Sequence, residues 1–150
     1  MNKGRRIGAL VAATVAAIGM SMTLSTAPAA AAKKPEGPLP VSQLLHRVDD
    51  NDGAWVHVWF RTDKRACDFK LRVGDTGRVG IYHPMGSFTS LQNNASLSKD
   101  EIDYAAFRVD VGTYKKDTWQ LLPATISWKW CGTTKVRTKN TAFLLPIDAD

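Results

Sequence analysis

Three His, two Cys, five Trp and several groups of Asp are the residues of this chain that could do chemistry, and their spacing limits what they can do. A serine or cysteine nucleophile needs a His within hydrogen-bonding reach and a carboxylate to orient that His. His46, His57 and His83 stand in no such local pattern, and there is no G-x-S-x-G elbow. Paired carboxylates could hydrolyse a glycosidic bond. Asp100, Glu101 and Asp103 cluster, as do Asp49, Asp50 and Asp52, but neighbouring acids in turn segments are ordinarily solvated. The segment from Asp49 to Gly53 also fails the D-x-[DN]-x-[DN]-G frame of a calcium loop, and no Glu follows at the required distance. No catalytic, metal-binding or cofactor-binding residue is assigned, and the expectation is a protein that is not an enzyme.

The aromatic residues carry more information. Trp55 and Trp59 fall four apart on one face of a strand, about 13 Å from each other, with His57 between them. Trp128 and Trp130 are two apart, at about half that distance. Exposed Trp on a β-sandwich offers a flat face for a sugar ring, whereas Trp on a strand usually packs against the facing sheet. Core packing is expected for Trp128 and Trp130. Trp55 and Trp59 stay open between the two roles, because the opposite face of their strand, with Val56, Val58 and Phe60, is the more apolar. Trp55, His57 and Trp59 are therefore the candidate binding residues.

The elements that must position them are strands. Trp55 to Arg61 alternates, and so does the run from Cys67 to Val73, which places Cys67, Phe69, Leu71 and Val73 inward and Asp68, Lys70 and Arg72 outward. Further strands are predicted at 78–83, around Phe107–Val111, over Trp119–Cys131 and from about 134 to 145. A weaker one falls near 88–91 within an otherwise irregular 84–101 segment. Residues 41–48 fit a helical turn or an irregular edge strand. Pro123 needs an edge or a bulge. Six to seven closely spaced strands without a long helix predict an all-β, antiparallel, immunoglobulin-like sandwich.

The N-terminus has the three parts of a cleavable secretory signal over residues 1–32. Lys3, Arg5 and Arg6 are followed by an apolar run from Ile7 and then by the small residues Ala27 to Ala32. Residues 33–40 are expected to be a Pro-rich linker with little to bury, and 41–150 a single domain. The expected destination is extracellular, with no membrane anchor after cleavage. In an exported chain, two Cys predict one bridge, Cys67–Cys131. The whole chain carries 20 Lys and Arg against 14 Asp and Glu, for a net charge of +6. The leader holds three of the basic residues and none of the acidic ones, so the remainder has only +3, which argues against nucleic acid as a partner. Lys129, Lys135, Arg137 and Lys139 form the one basic stretch without acidic neighbours, and edge protection is its default explanation.

Several segments together resemble small secreted proteins of actinobacteria. These are Trp55–Phe60, Cys67–Val73, Tyr104–Val109, Pro123–Cys131 and Thr138–Ile147. The resemblance covers most of the domain. It implies export and a sandwich fold, and it implies no particular activity. A non-catalytic extracellular module is the expected function, its partner a cell-wall or other extracellular polysaccharide or another secreted protein. A secreted protease inhibitor using the 84–101 segment is the alternative, and a hydrolase with an unrecognised site the third.

Overall fold

A computed structural model describes Lys34 and residues 36–149; the expected signal segment of residues 1–32 lies outside the described residues. Eight strands run in the order β1 (Leu39–Pro40), β2 (Val48–Asp49), β3 (Gly53–Arg61), β4 (Ala66–Val73), β5 (Val79–Tyr82), β6 (Ile102–Val111), β7 (Thr118–Trp130) and β8 (Val136–Asp148). They form two four-stranded sheets, with strand orders β1-β3-β6-β5 and β2-β8-β7-β4. Pairing between these strands is antiparallel except for the short β2, which runs parallel to the end of β8. No helix occurs among the described residues, and so none long and apolar enough to cross a membrane.

Alternation builds the core. Val56, Val58 and Phe60 of β3 and Phe107, Val109 and Val111 of β6 turn inward from the first sheet. Phe69, Leu71 and Val73 of β4, Leu122 and Ile126 of β7, and Phe143, Leu145 and Ile147 of β8 turn inward from the second. The Phe60 and Phe69 rings meet across the gap at 4.8 Å. Each such side chain contributes roughly 1.5–3 kcal/mol by leaving water. The all-β sandwich therefore follows from the period-two pattern.

The edges hold what the pattern did not reveal. Residues 41–48 form no helical turn: Leu44 bridges Leu144, and Val48–Asp49 pairs with Ile147–Asp148. Residues 36–40, expected to bury little, lie against the body. Gly37 and Pro38 are buried, Leu39–Pro40 pairs with β3, and the N–H groups of Glu36 and Gly37 donate to the Asp63 carboxylate at 2.9 and 3.3 Å. The irregular segment between β5 and β6 is also tied down. Thr89 and Leu97 bridge to β4 and Leu91 bridges to β6, which covers the outer edge of β4 and joins it to the other sheet. Pro123 sits in the interior of β7 without a lost ladder bond. Its carbonyl accepts from Gly74, just past the end of β4, so no strand lies beside its missing N–H.

The bridge Cys67–Cys131 is formed, and it closes 64 residues of sequence. Its position corrects the expectation for Cys67. The β4–β7 register shifts between Cys67 and Lys70, and Asp68 takes φ 54°, a left-handed conformation that Asp tolerates better than most residues. This bulge turns Cys67 outward, opposite Lys129, while Ala66 and Phe69 point in. The disulfide thus lies on the outer face of one sheet, linking β4 to the residue after β7. An immunoglobulin domain instead carries its bridge between the two sheets. The two-layer architecture is shared; the placement of the staple is not.

Candidate functional site

The outer face of the first sheet carries Trp55, His57 and Trp59. Because Val56, Val58 and Phe60 fill the core, strand geometry sends these three the other way. Trp55 is 46% exposed and Trp59 49%. The open question between core and surface resolves to the surface for this pair.

Cross-strand register supplies the rest of the site. Trp59 stands opposite Tyr104, His57 opposite Ala106, and Trp55 opposite Arg108. The small Ala106 leaves room for Tyr104 to lean between two rings: its ring lies 4.8 Å from Trp59 and 4.9 Å, edge-on, from His57. Aromatic pairs at this separation are each worth about 0.5–1.5 kcal/mol beyond their burial, enough to hold the rings in place. Farther along, Arg108 is also opposite the exposed Tyr82 of β5, and its Nε donates to Asp110 at 3.0 Å. A Cβ on Gly53 would stand 2.3 Å from the Arg108 guanidinium, so Gly53 makes room for this ion pair. The face thus runs from the aromatic trio His57, Tyr104 and Trp59 to Trp55 and Tyr82 beside a charged pair.

Beside Trp59 the surface dips into a groove of about 480 Å³, lined by Val41, Leu44, His46, His57, Trp59 and Ile102. Val41, Leu44 and Ile102 remain more than half exposed. The combination of flat rings, an apolar groove and a polar pair at one end can adsorb an amphipathic ligand. Ser42 also lines the groove, and its hydroxyl donates to the Leu44 carbonyl at 3.0 Å.

The remaining sequence candidates are placed elsewhere. His83 is buried, and its Nε2 accepts the Val73 N–H at 3.0 Å, joining the turn after β5 to the end of β4. Burial, and secondarily the Arg72 charge, push its pKa below the usual histidine range, against the opposing pull of Asp75. Its nitrogen is therefore an acceptor that holds a backbone bond. Asp50 and Asp52 accept the N–H groups of Tyr114 and Gly53, at 2.7 and 2.6 Å. Asp103 is buried and accepts from Asn93 and from its own neighbour Tyr104. These carboxylates fix loops.

Tyr104 and Tyr82 were not singled out from the sequence. The alternation of Phe107, Val109 and Val111 does put Tyr104 on the outer face. Which β3 residue it meets depends on register between strands about forty residues apart, and no residue pattern reports that.

No family model matches this chain, and no curated protein does. Among solved structures it resembles a protein of unknown function from Porphyromonas gingivalis W83, at 16% identity and a TM-score of 0.42, over 73% of this chain and 47% of that one. It also resembles a family 123 glycoside hydrolase from Clostridium perfringens, at 11% identity and a TM-score of 0.33, over 75% of this chain and 27% of that one. A third likeness is to AggA, the major subunit of aggregative adherence fimbriae type I from Escherichia coli, at 8% identity and a TM-score of 0.36, over 75% and 93%. The chain thus spans less than half the length of the first two.

Proposed function

We propose that this protein is an exported, non-catalytic binding module whose ligand is a polysaccharide of the cell envelope or its surroundings. The supporting observation is the pair of half-exposed rings, Trp55 and Trp59, the second braced by Tyr104, on one face of a sheet. A monomeric protein has little reason to leave large flat apolar groups in water unless something covers them. Sugar rings present alternating apolar faces and hydroxyl rims, which suit rings flanked by His57, Arg108 and Asp110.

Sedimentation with insoluble cell wall, chitin and cellulose tests this reading. The protein should pellet with at least one of them, and Trp55→Ala/Trp59→Ala should stay in solution. Central aromatic contacts are each worth about 2 kcal/mol, so each truncation should weaken binding about thirtyfold. Equal pelleting of the double variant would remove the proposal. The protease-inhibitor alternative draws no support from the segment it would use, since Thr89, Leu91 and Leu97 are buried against the body.

A further inference from the structure

The β7–β8 hairpin outruns the sheet that should cover it. Along the inner face of β8, burial is complete at Phe143, Leu145 and Ile147, partial at Lys139, and absent at Arg137. Opposite these last two stand Ile126 and Trp128, followed along β7 by Trp130. Position Arg137 would be core if the first sheet reached this far. It carries a guanidinium instead.

Two cations from different parts of the chain converge on one ring there. Lys64, from the turn between β3 and β4, holds its Nζ 5.3 Å from the Trp130 centroid, and Arg137 holds its guanidinium carbon 5.7 Å from it. Cation–π attraction to the ring face stabilises each head. Lys139 follows Arg137 on the same side of β8, about 7 Å along the strand, and Lys135 lies in the turn just before it. No ion pair joins Lys64, Lys135, Arg137 or Lys139 to a carboxylate among the described residues. The nearest acid in sequence, Asp63, accepts the two backbone N–H groups already described. Lys129, on the outer face, is paired with Asp68 at 2.8 Å.

Edge protection accounts for charges on β8, whose strand partner β2 reaches only Ile147 and Asp148. It does not account for a lysine brought from another loop onto the same ring. We infer that this ledge is a second binding site, for an anionic glycopolymer whose repeating phosphate or carboxylate groups bridge Lys64, Arg137 and the lysines on either side. Several cations gathered along one ledge suit a polymer better than a single ion, and a guanidinium takes either oxyanion through two parallel hydrogen bonds. The site does not rest on the aromatic face of the first sheet.

Titration of the purified full chain with polyphosphate and with polygalacturonate, over a series of salt concentrations, tests it. Binding to at least one should be tight at low salt and weaken steeply as salt rises, and the better of the two identifies the oxyanion. Lys64→Gln/Arg137→Gln should lower affinity about tenfold and flatten the salt slope by about one unit per charge removed. Lys115→Gln/Lys116→Gln removes equal charge from the far end and should change affinity by no more than about twofold. Trp55→Ala/Trp59→Ala should bind both probes normally, which separates this site from the aromatic face. Circular dichroism checks that each variant folds. Absence of binding to both probes at low salt, or equal losses in the two lysine-bearing pairs, would overturn the inference.

Discussion

The two tryptophan pairs occupy strands with the same period-two alternation, yet they meet opposite environments. Trp128 and Trp130 are 5% and 6% exposed, packed edge to face at 6.0 Å, with Gly37 laid over one indole and two cations against the other. Trp55 and Trp59 stand nearly half in water, and a tyrosine braces the second. The difference is parity. On β7 the tryptophans share a face with Ile126, Ala124 and Leu122, whereas on β3 they alternate with Val56, Val58 and Phe60. An aromatic pair placed in step with the aliphatic residues belongs to the core, and one placed out of step is left free for another role.

That contrast can be broken by truncation, and the losses should rank accordingly. Trp128→Ala should destabilise the domain by about 3–5 kcal/mol through lost burial and the cavity left behind, read from the urea midpoint. Loss of the bridge in Cys67→Ser/Cys131→Ser should release a loop worth about 4 kcal/mol on the chain-entropy model. It should leave the aromatic face intact, because the staple lies on the other sheet. Gly37→Ala comes next. Its Cβ would fall 2.2 Å from the Trp128 ring at φ +85°, so the 36–40 segment must lift, for a loss of about 1–3 kcal/mol. Trp59→Ala, by contrast, should change the same midpoint by no more than about 1 kcal/mol.

The smallest effect is set by pH. His83 binds its proton more weakly in the folded state than in the unfolded state, because the charged form is buried. The unfolded chain therefore takes up more protons as pH falls from about 6.5 toward the folded pKa, and stability drops through that window. Its full contribution is present above about pH 6.5. Urea midpoints at pH 7.5 and 5.5 should differ in the native protein, and His83→Gln should reduce the difference. Asp68 acts in a separate, more acidic window: the hydrogen bond and charge of Lys129 hold its pKa below 3.8, so that pair is lost only below that range.

Much of this was legible from residues with strong period-two patterns. Val56, Val58 and Phe60, or Phe107, Val109 and Val111, announce strand, face and core together, and the two Cys permit a single pairing. Legibility stopped wherever one residue shifted the count. Asp68 adds a residue to β4, so Cys67 leaves the face that strict alternation assigns to it. Nothing in C-D-F-K marks the bulge, since Asp serves equally well in an ordinary outward position. The sequence of residues 36–40 resembles a solvated linker, and its docking depends on Gly37 passing above an indole about ninety positions later. The aromatic trio depended on the β3–β6 register. Local patterns place side chains on faces; contacts between distant strands decide which of them become neighbours.

Hydroxyl-radical footprinting of the four paired tryptophans, read by mass spectrometry with and without the polysaccharide that co-sediments, tests the binding face most directly. Trp55 and Trp59 should oxidise much faster than Trp128 and Trp130 in the free protein, and ligand should slow the first pair alone. Uniform oxidation of all four, or bound polysaccharide that leaves Trp55 and Trp59 as reactive as before, would contradict the assignment of that face.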